Sequence, residues 1–492
     1  MRLLLLLLVL LALPAGPARA GWVVAESANF RLYAQGDASA AAAAVAELED
    51  FRALLVQLTG RTPPEGLPPL DIYLVPDLAA AVPGQRVAPG VAGFYRATAG
   101  GIAAFVTTAA GADAARAVLR HEYAHHFMFA DTRVAYPAWY VEGFAEYVMT
   151  AELAPERIAF GHPDPARLRW IDSGQWLAPE ELLRGRFDPR DPTRAAMFYA
   201  QSWLLAHWLF RTRDRQAKLA AYLARTGQGE DPLDAFRAEV MADPGALDRT
   251  LLAYRQNRRA FSYFAARRRP PAPAEVRVRP LPASAERLLL LRPALVEGGG
   301  ARLGQALLAA ARAESARFPG DGFATATLAL AELHHGSPAE AVALLDPLLA
   351  AAPEDPDLLR WRGQAALAAG EGEARARAFL ARAVAADPAD WRAINALAET
   401  FGPGTAERRQ LVARAWALAP QVAANIFSHA VELARADSLA EAAAVLQPLA
   451  WSPHGGPIAL TAQRFRALAE QGDRAAFLAA VAGPAPPEAQ AR

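Results

Sequence analysis

Residues 113 to 129 read Asp-Ala-Ala-Arg-Ala-Val-Leu-Arg-His-Glu-Tyr-Ala-His-His-Phe-Met-Phe. The pattern predicts a helix from Asp113 to about Phe129. His121 and His125 fall four apart in it, so both imidazoles share one face and can reach one metal ion. Glu122 follows the first histidine, where its carboxylate can reach a metal-bound water without being a ligand. Zn2+ suits two imidazoles and a carboxylate, with the fourth position left to water. The ion lowers that water's pKa toward about 7. Glu122 would then remove its proton and pass it to the leaving amine. With nine histidines in the chain, a His-Glu-x-x-His string arises by chance roughly once in a hundred such chains. The segment that follows therefore carries much of the weight.

That segment is Pro137-Ala138-Trp139-Tyr140-Val141-Glu142-Gly143-Phe144-Ala145-Glu146-Tyr147. Pro137 suits the first turn of a second helix, on which Glu142 and Glu146 share a face. His-Glu-x-x-His followed by Trp-x-x-Glu-Gly-x-Ala resembles the gluzincin metallopeptidases, and most of all the peptidase MA-like branch of secreted bacterial proteins. The resemblance covers roughly residues 21 to 265. It implies that His121, His125 and Glu142 are zinc ligands and that Glu122 is the general base. It also implies that Glu146 orients the first histidine, as a supporting carboxylate does in thermolysin-like enzymes. Sixteen residues separate His125 from Glu142, fewer than in the better-known members, which leaves Glu146 open as the third ligand. Gly143 is costly inside a helix by about 1 kcal/mol against Ala, so something is expected to approach it closely.

A third piece, Met197-Phe198-Tyr199-Ala200-Gln201-Ser202-Trp203-Leu204-Leu205, is similar to the helix that gives zinc aminopeptidases a tyrosine hydroxyl facing the tetrahedral intermediate. Tyr199 would donate to the developing oxyanion, with His207 as the alternative. His126 points away from the ligand face, and His162, His334, His335, His429 and His454 read as ordinary polar residues. The stretch from Gly93-Phe94-Tyr95 to Thr107 reads as a hairpin whose edge strand either receives an extended substrate by β-addition or is purely structural. The Gly-x-Met-Glu-Asn motif of zinc aminopeptidases is absent, which leaves an endopeptidase or an unusual exopeptidase.

The whole chain frames these pieces. Its 492 residues exceed one domain. They are 53% hydrophobic and 21% charged, with ten Trp and a formal net charge of zero, so nothing recommends a nucleic-acid partner. Arg2, the apolar run Leu3 to Leu13 and Ala18-Arg19-Ala20 read as a cleavable signal peptide over 1–20. The apolar run is too short to span a membrane, so the expected location is periplasmic or secreted. There is no cysteine, which excludes a lipobox, disulfides and thiolate ligands.

Residues 21–268 read as an α+β gluzincin-like zinc peptidase domain, a small mixed sheet plus helices. Strands are expected at Phe30 to Ala34, Leu70 to Val75 and Ile102 to Thr107. A helix is expected over Ser39 to Leu58 with Ser39 as N-cap, and mainly helix from about Ala112. A Pro-rich stretch over 269–282 reads as a linker or an internal loop. Residues 283–484 repeat a helical theme closing at Pro353, Pro388 and Pro420. Small residues at the crossings resemble tetratricopeptide repeats, here as an irregular all-α solenoid of helical hairpins. The expected function is zinc-dependent peptide hydrolysis with one Zn2+ per chain, a peptide or protein substrate, and a protein partner or a cleft cover in the repeats. The rival readings are an interaction scaffold with a structural or silent zinc site, and a zinc amidase acting on non-protein amides.

Overall fold

The computed structural model of the chain describes residues 21–482, except 85–86, 88–89, 131–134, 189–190, 258–263, 268–272, 298–299 and 453–455. The expected signal peptide and His454 lie outside the described residues. The fold is mixed α+β: a small sheet with helices, then a long run of helices.

The first part runs β1 (Trp22–Glu26), β2 (Phe30–Gln35), α1 (Ala38–Thr59), β3 (Leu70–Val75), α2 (Leu78–Ala81), β4 (Gly93–Thr98), β5 (Gly101–Thr107), α3 (Ala112–Phe129) and α4 (Ala138–Val148). It continues with β6 (Glu152–Ala154), β7 (Arg157–Phe160), α5 (Pro165–Asp172), α6 (Pro179–Arg184), α7 (Pro192–Phe210), α8 (Arg213–Gly227), α9 (Pro232–Glu239), α10 (Leu247–Gln256), β8 (Phe264–Arg267) and β9 (Arg277–Pro280). The helical run comprises α11 (Ala285–Leu288), α12 (Leu291–Val296), α13 (Gly300–Ser315), α14 (Gly322–His335), α15 (Pro338–Ala351), α16 (Pro356–Ala368), α17 (Glu373–Ala386) and α18 (Trp391–Glu399). It ends with α19 (Ala406–Leu418), α20 (Ala423–Arg435), α21 (Leu439–Ala450), α22 (Gly456–Glu470) and α23 (Arg474–Ala482). From α13 onward each helix packs on the next. At Gly363 an added Cβ would stand 2.5 Å from the Leu380 side chain, so a small residue lets α16 and α17 cross closely.

The expected strands are all present, and α1 is capped two residues earlier than expected. Asp37, not Ser39, is its N-cap: the Asp37 carboxylate accepts from the Ser39 N–H, which brings charge as well as a hydrogen bond to the helix start. Gly60 closes the helix in the left-handed region at φ 65°. The region after Ala112 is not purely helical, because β6, β7 and β8 form a second, three-stranded sheet.

The six-stranded sheet has the order β4-β5-β3-β2-β1-β9. Its register aligns Leu32 with Ile72 and Ala104 on one face, and Tyr33 with Tyr73 and Phe105 on the other. The first face is buried against α1 and α3. The second carries an aromatic ladder, with Tyr33–Tyr73 and Tyr73–Phe105 centroids 4.8 Å apart. It packs against Ala285 and Leu289 and borders Phe323 of the helical run. Strands apolar on both faces need both covered, and here the C-terminal run covers the second.

The described part of the Pro-rich stretch is therefore more than a spacer: Arg277–Pro280 forms the edge strand β9, paired antiparallel with β1. Charges also link the run to the sheet, where Arg392 of α18 and Asp71 of β3 lie within each other's field. Asp390 accepts from Arg360 at 2.8 Å and from Arg392 at 3.0 Å, and Arg31 pairs with Asp71 at 3.4 Å. Neighbouring positive charges hold the buried Asp390 carboxyl below its usual range despite desolvation. No helix of the described residues is long and apolar enough to cross a membrane.

Candidate metal centre

Helix α3 is two-sided. Leu119, Tyr123 and Phe127 are buried in the core between the sheet and α1, with the Tyr123 ring 4.8 Å from Phe30. Arg120 donates to Glu47 on α1 and to the Ala151 carbonyl. His121 and His125 stand one turn apart on the face turned toward α4. That helix starts one residue after Pro137, which occupies the flanking cap position and not the first turn. Trp139 of α4 donates from Nε1 to the Tyr222 hydroxyl at 2.9 Å, tying it to α8.

The two helices bring three ligand-type atoms together. His121 Nε2 and His125 Nε2 lie 3.1 Å apart, and Glu142 Oε2 lies 3.4 Å from the first and 3.6 Å from the second. A circle through these atoms has a radius of about 2 Å, close to zinc's bond lengths to nitrogen and carboxylate oxygen. Among the described residues, His121, His125 and Glu142 are the group that could hold a metal ion. Of the two glutamates left open by spacing, Glu142 is the one whose carboxylate oxygen lies beside both Nε2 atoms. Glu146 sits one turn on, its Oε1 3.6 Å from His121 Nδ1, on the far side of the ring from the cluster.

Glu146 has a partner that the sequence did not disclose. Arg167 on α5 donates to it twice, from Nε to Oε2 at 2.8 Å and from Nη2 to Oε1 at 2.6 Å. Such a fork holds a buried carboxylate in one orientation. No spacing rule connects residues 146 and 167; the pairing is purely tertiary.

Glu122 is 7% exposed. Burial raises its pKa to about 7; Glu142 reinforces the rise, while His121 and the Tyr95 N–H of β4 oppose it. For His121 burial opposes the charge, but the Glu142 hydrogen bond and the charges of Glu146, Glu122 and Glu142 outweigh it, giving a pKa of about 9 in the metal-free protein. Tyr199 of α7 lies within the same field. Its hydroxyl pKa is pushed up first by Glu142, then by burial, Glu146 and Glu122, with Arg167 opposing.

His207 is not brought to the cluster. It is buried with Nδ1 2.7 Å from the Tyr254 hydroxyl and its ring against Tyr147, and burial lowers its pKa to about 4. His126 turns to Tyr95, its Nδ1 3.3 Å from the Tyr95 hydroxyl. His335 meets the Leu295 carbonyl and His429 lies tilted against Trp416, both within the helical run.

Gly143 has a physical reason. An added Cβ would stand 2.3 Å from the Ser202 carbonyl oxygen of α7 and 3.3 Å from Ala206 Cβ. The backbones of α4 and α7 meet there, and that contact sets Glu142 and Tyr199 at a fixed separation. No protein-family model matches this chain, and no curated protein matches it.

Two outcomes follow from this geometry. Gly143→Ala, which would gain about 1 kcal/mol in an open helix, should instead destabilise by about 1–3 kcal/mol through overpacking. Denaturant melts read this, and an unchanged midpoint would refute the close contact. The metal-free protein should also lose stability as pH rises. Glu122 and His121 both hold protons more tightly folded than unfolded, so their contributions fade across about pH 4.5 to 7 and 6.5 to 9 respectively. Thermal melts in chelator should show a lower midpoint at pH 9 than at pH 5.

Proposed function

We propose that the protein is a zinc-dependent metallopeptidase, periplasmic or secreted, that hydrolyses peptide bonds. The observation that carries this reading is the triangle of His121 Nε2, His125 Nε2 and Glu142 Oε2 with the Glu122 carboxylate next along the same helix. The donor set, two imidazoles and a carboxylate, fits Zn2+ and leaves room for a fourth ligand. The resemblance of the two motifs to the gluzincins points the same way.

A zinc ion there supplies a Lewis acid that polarises a carbonyl and acidifies water. The remaining work falls to side chains. Glu122, buried on the same helix as the two histidines, takes a proton from water and returns it to the departing amine. Tyr199, which lies beside the same carboxylates, would act as a neutral donor to a carbonyl oxygen gaining charge. Glu146, clamped by Arg167, stands 3.6 Å from His121 Nδ1, where its charge favours the tautomer that turns Nε2 toward the ion. The helical run is read as a tetratricopeptide-like solenoid that binds a protein partner or covers the cleft.

The purified protein should carry about one zinc per chain. Glu122→Gln should keep the metal and lose about 10²–10⁴ in kcat/KM on a general peptide substrate. Bound zinc with no hydrolysis of any peptide library would favour the scaffold reading. Glu142→Ala should abolish stoichiometric zinc, while Glu146→Ala should weaken it about 10–100-fold. Elemental analysis and zinc titration separate the two, and the reverse order would move the third ligand to Glu146.

A further inference from the structure

The seam between the sheet and the helical run is not uniformly apolar. Tyr33 of β2 and Tyr73 of β3, stacked in the aromatic ladder, line a cavity of about 110 Å3 between the second face of the sheet and helices α12, α16 and α18. That is room for several waters or for one small oxyanion.

Charge in this cavity is mostly positive. Five guanidiniums line it, against the carboxylates of Asp71, Glu297 and Asp357. Arg96 pairs with Glu297, Arg360 with Asp357 and Asp390, and Arg31 with Asp71 and with Glu26 outside the cavity. Arg392 reaches Asp390 through Nε at 3.0 Å. Arg292 has no carboxylate at ion-pair distance among the described residues. Its Nε donates to the Thr327 hydroxyl at 2.9 Å and its Nη2 to the Phe323 carbonyl at 3.1 Å, and the group lies 3.6 Å over the Phe323 ring. Burial opposes its charge, and a buried charge short of a counter-ion is unfavourable.

Unspent donors point the same way. The Tyr33 and Tyr73 hydroxyls make no hydrogen bond to any described residue, although Tyr73 is only 7% exposed. Arg392 spends only its Nε among side-chain partners, and its Nη1 stands over Gly101 of β5, 3.9 Å from where a Cβ would be. Nη1 of Arg292 likewise has no partner among the described residues. None of these atoms is sealed from water. Buried donors need acceptors, and an oxyanion accepts without donating, with stronger bonds than neutral oxygen makes.

We propose that this seam binds one small oxyanion of the phosphate or sulfate class, held by the Tyr33 and Tyr73 hydroxyls from the sheet and by Arg292 and Arg392 from the helical run. The site lies on the sheet face opposite the one that α3 covers, so it is separate from the metal centre and independent of the peptidase reading. Its groups come from both sides of the seam, so the bound anion ties the run to the sheet and stabilises the folded chain by mass action.

The test titrates inorganic phosphate into the full-length protein by calorimetry, with chloride holding the ionic strength constant. About one phosphate per chain should bind, sulfate should compete for it, and the thermal midpoint should rise with phosphate and then level off. Tyr33→Phe combined with Tyr73→Phe removes two hydroxyls and no hydrogen bond to a described residue, and should weaken binding by about tenfold or more. Arg292→Met should act in the same direction. No binding beyond the chloride control, or binding unchanged in a double variant with a normal melt, would overturn the site. So would binding that survives these substitutions and vanishes in Glu142→Ala, since the anion would then sit at the metal centre. If the double variant melts early, Tyr73→Phe alone carries the same readout.

Discussion

Three carboxylates, those of Glu122, Glu142 and Glu146, are buried around two imidazoles, and this crowding constrains everything near the centre. Burying like charges together is unfavourable unless each finds a counter-charge or a proton. Glu146 has Arg167. Glu142 and Glu122 lean on His121, whose affinity for a proton rises accordingly in the metal-free protein. A divalent cation within the triangle meets the same need without a proton. The cluster is thus a group of residues each unfavourable alone and tolerable only as a set.

Such a set functions only if its members are held rigidly, and all the groups named sit on helices. Helix α3 is fixed by its apolar face against the sheet and by Arg120. Helix α4 is fixed by Trp139 on one side and by the backbone contact of Gly143 with Ser202 on the other. That second contact also positions Tyr199, since it lies on the helix that carries Ser202. Side chains far apart in sequence thereby keep their spacing through main-chain packing, which yields less than long side chains do.

Much of this was legible in the sequence, for local reasons. The imidazole pair, Glu142, Glu146 and the odd glycine are all encoded by helical spacing over short distances, as are the three longest apolar strands. What was not legible is tertiary. Arg167 carries no local mark of its pairing with Glu146. Strand β9 hides in a Pro-rich stretch because its partner, β1, lies more than two hundred residues away in the chain, and its four residues, Arg277 to Pro280, turn a single apolar side chain, Val278, toward the core. Asp37 displaced Ser39 as the cap because both residue types serve, and only the backbone decides which one precedes the first turn. The helical character after residue 283 was plain from composition, but not that the run would lie against the sheet.

The pairing of β9 with β1 has a consequence for how the chain reaches this state. The first strand to be made finds one of its two neighbours only after residue 280 has been made, and the aromatic ladder at Tyr33, Tyr73 and Phe105 stays bare until the helices beyond it arrive. Contacts of such long sequence separation close slowly, and an uncovered apolar sheet face with an unpaired edge invites association in the meantime. Strand β9 and the helical half are therefore the last pieces of the sheet's own folding: a chain cut short before residue 277 would have lost a strand and a layer, not an accessory.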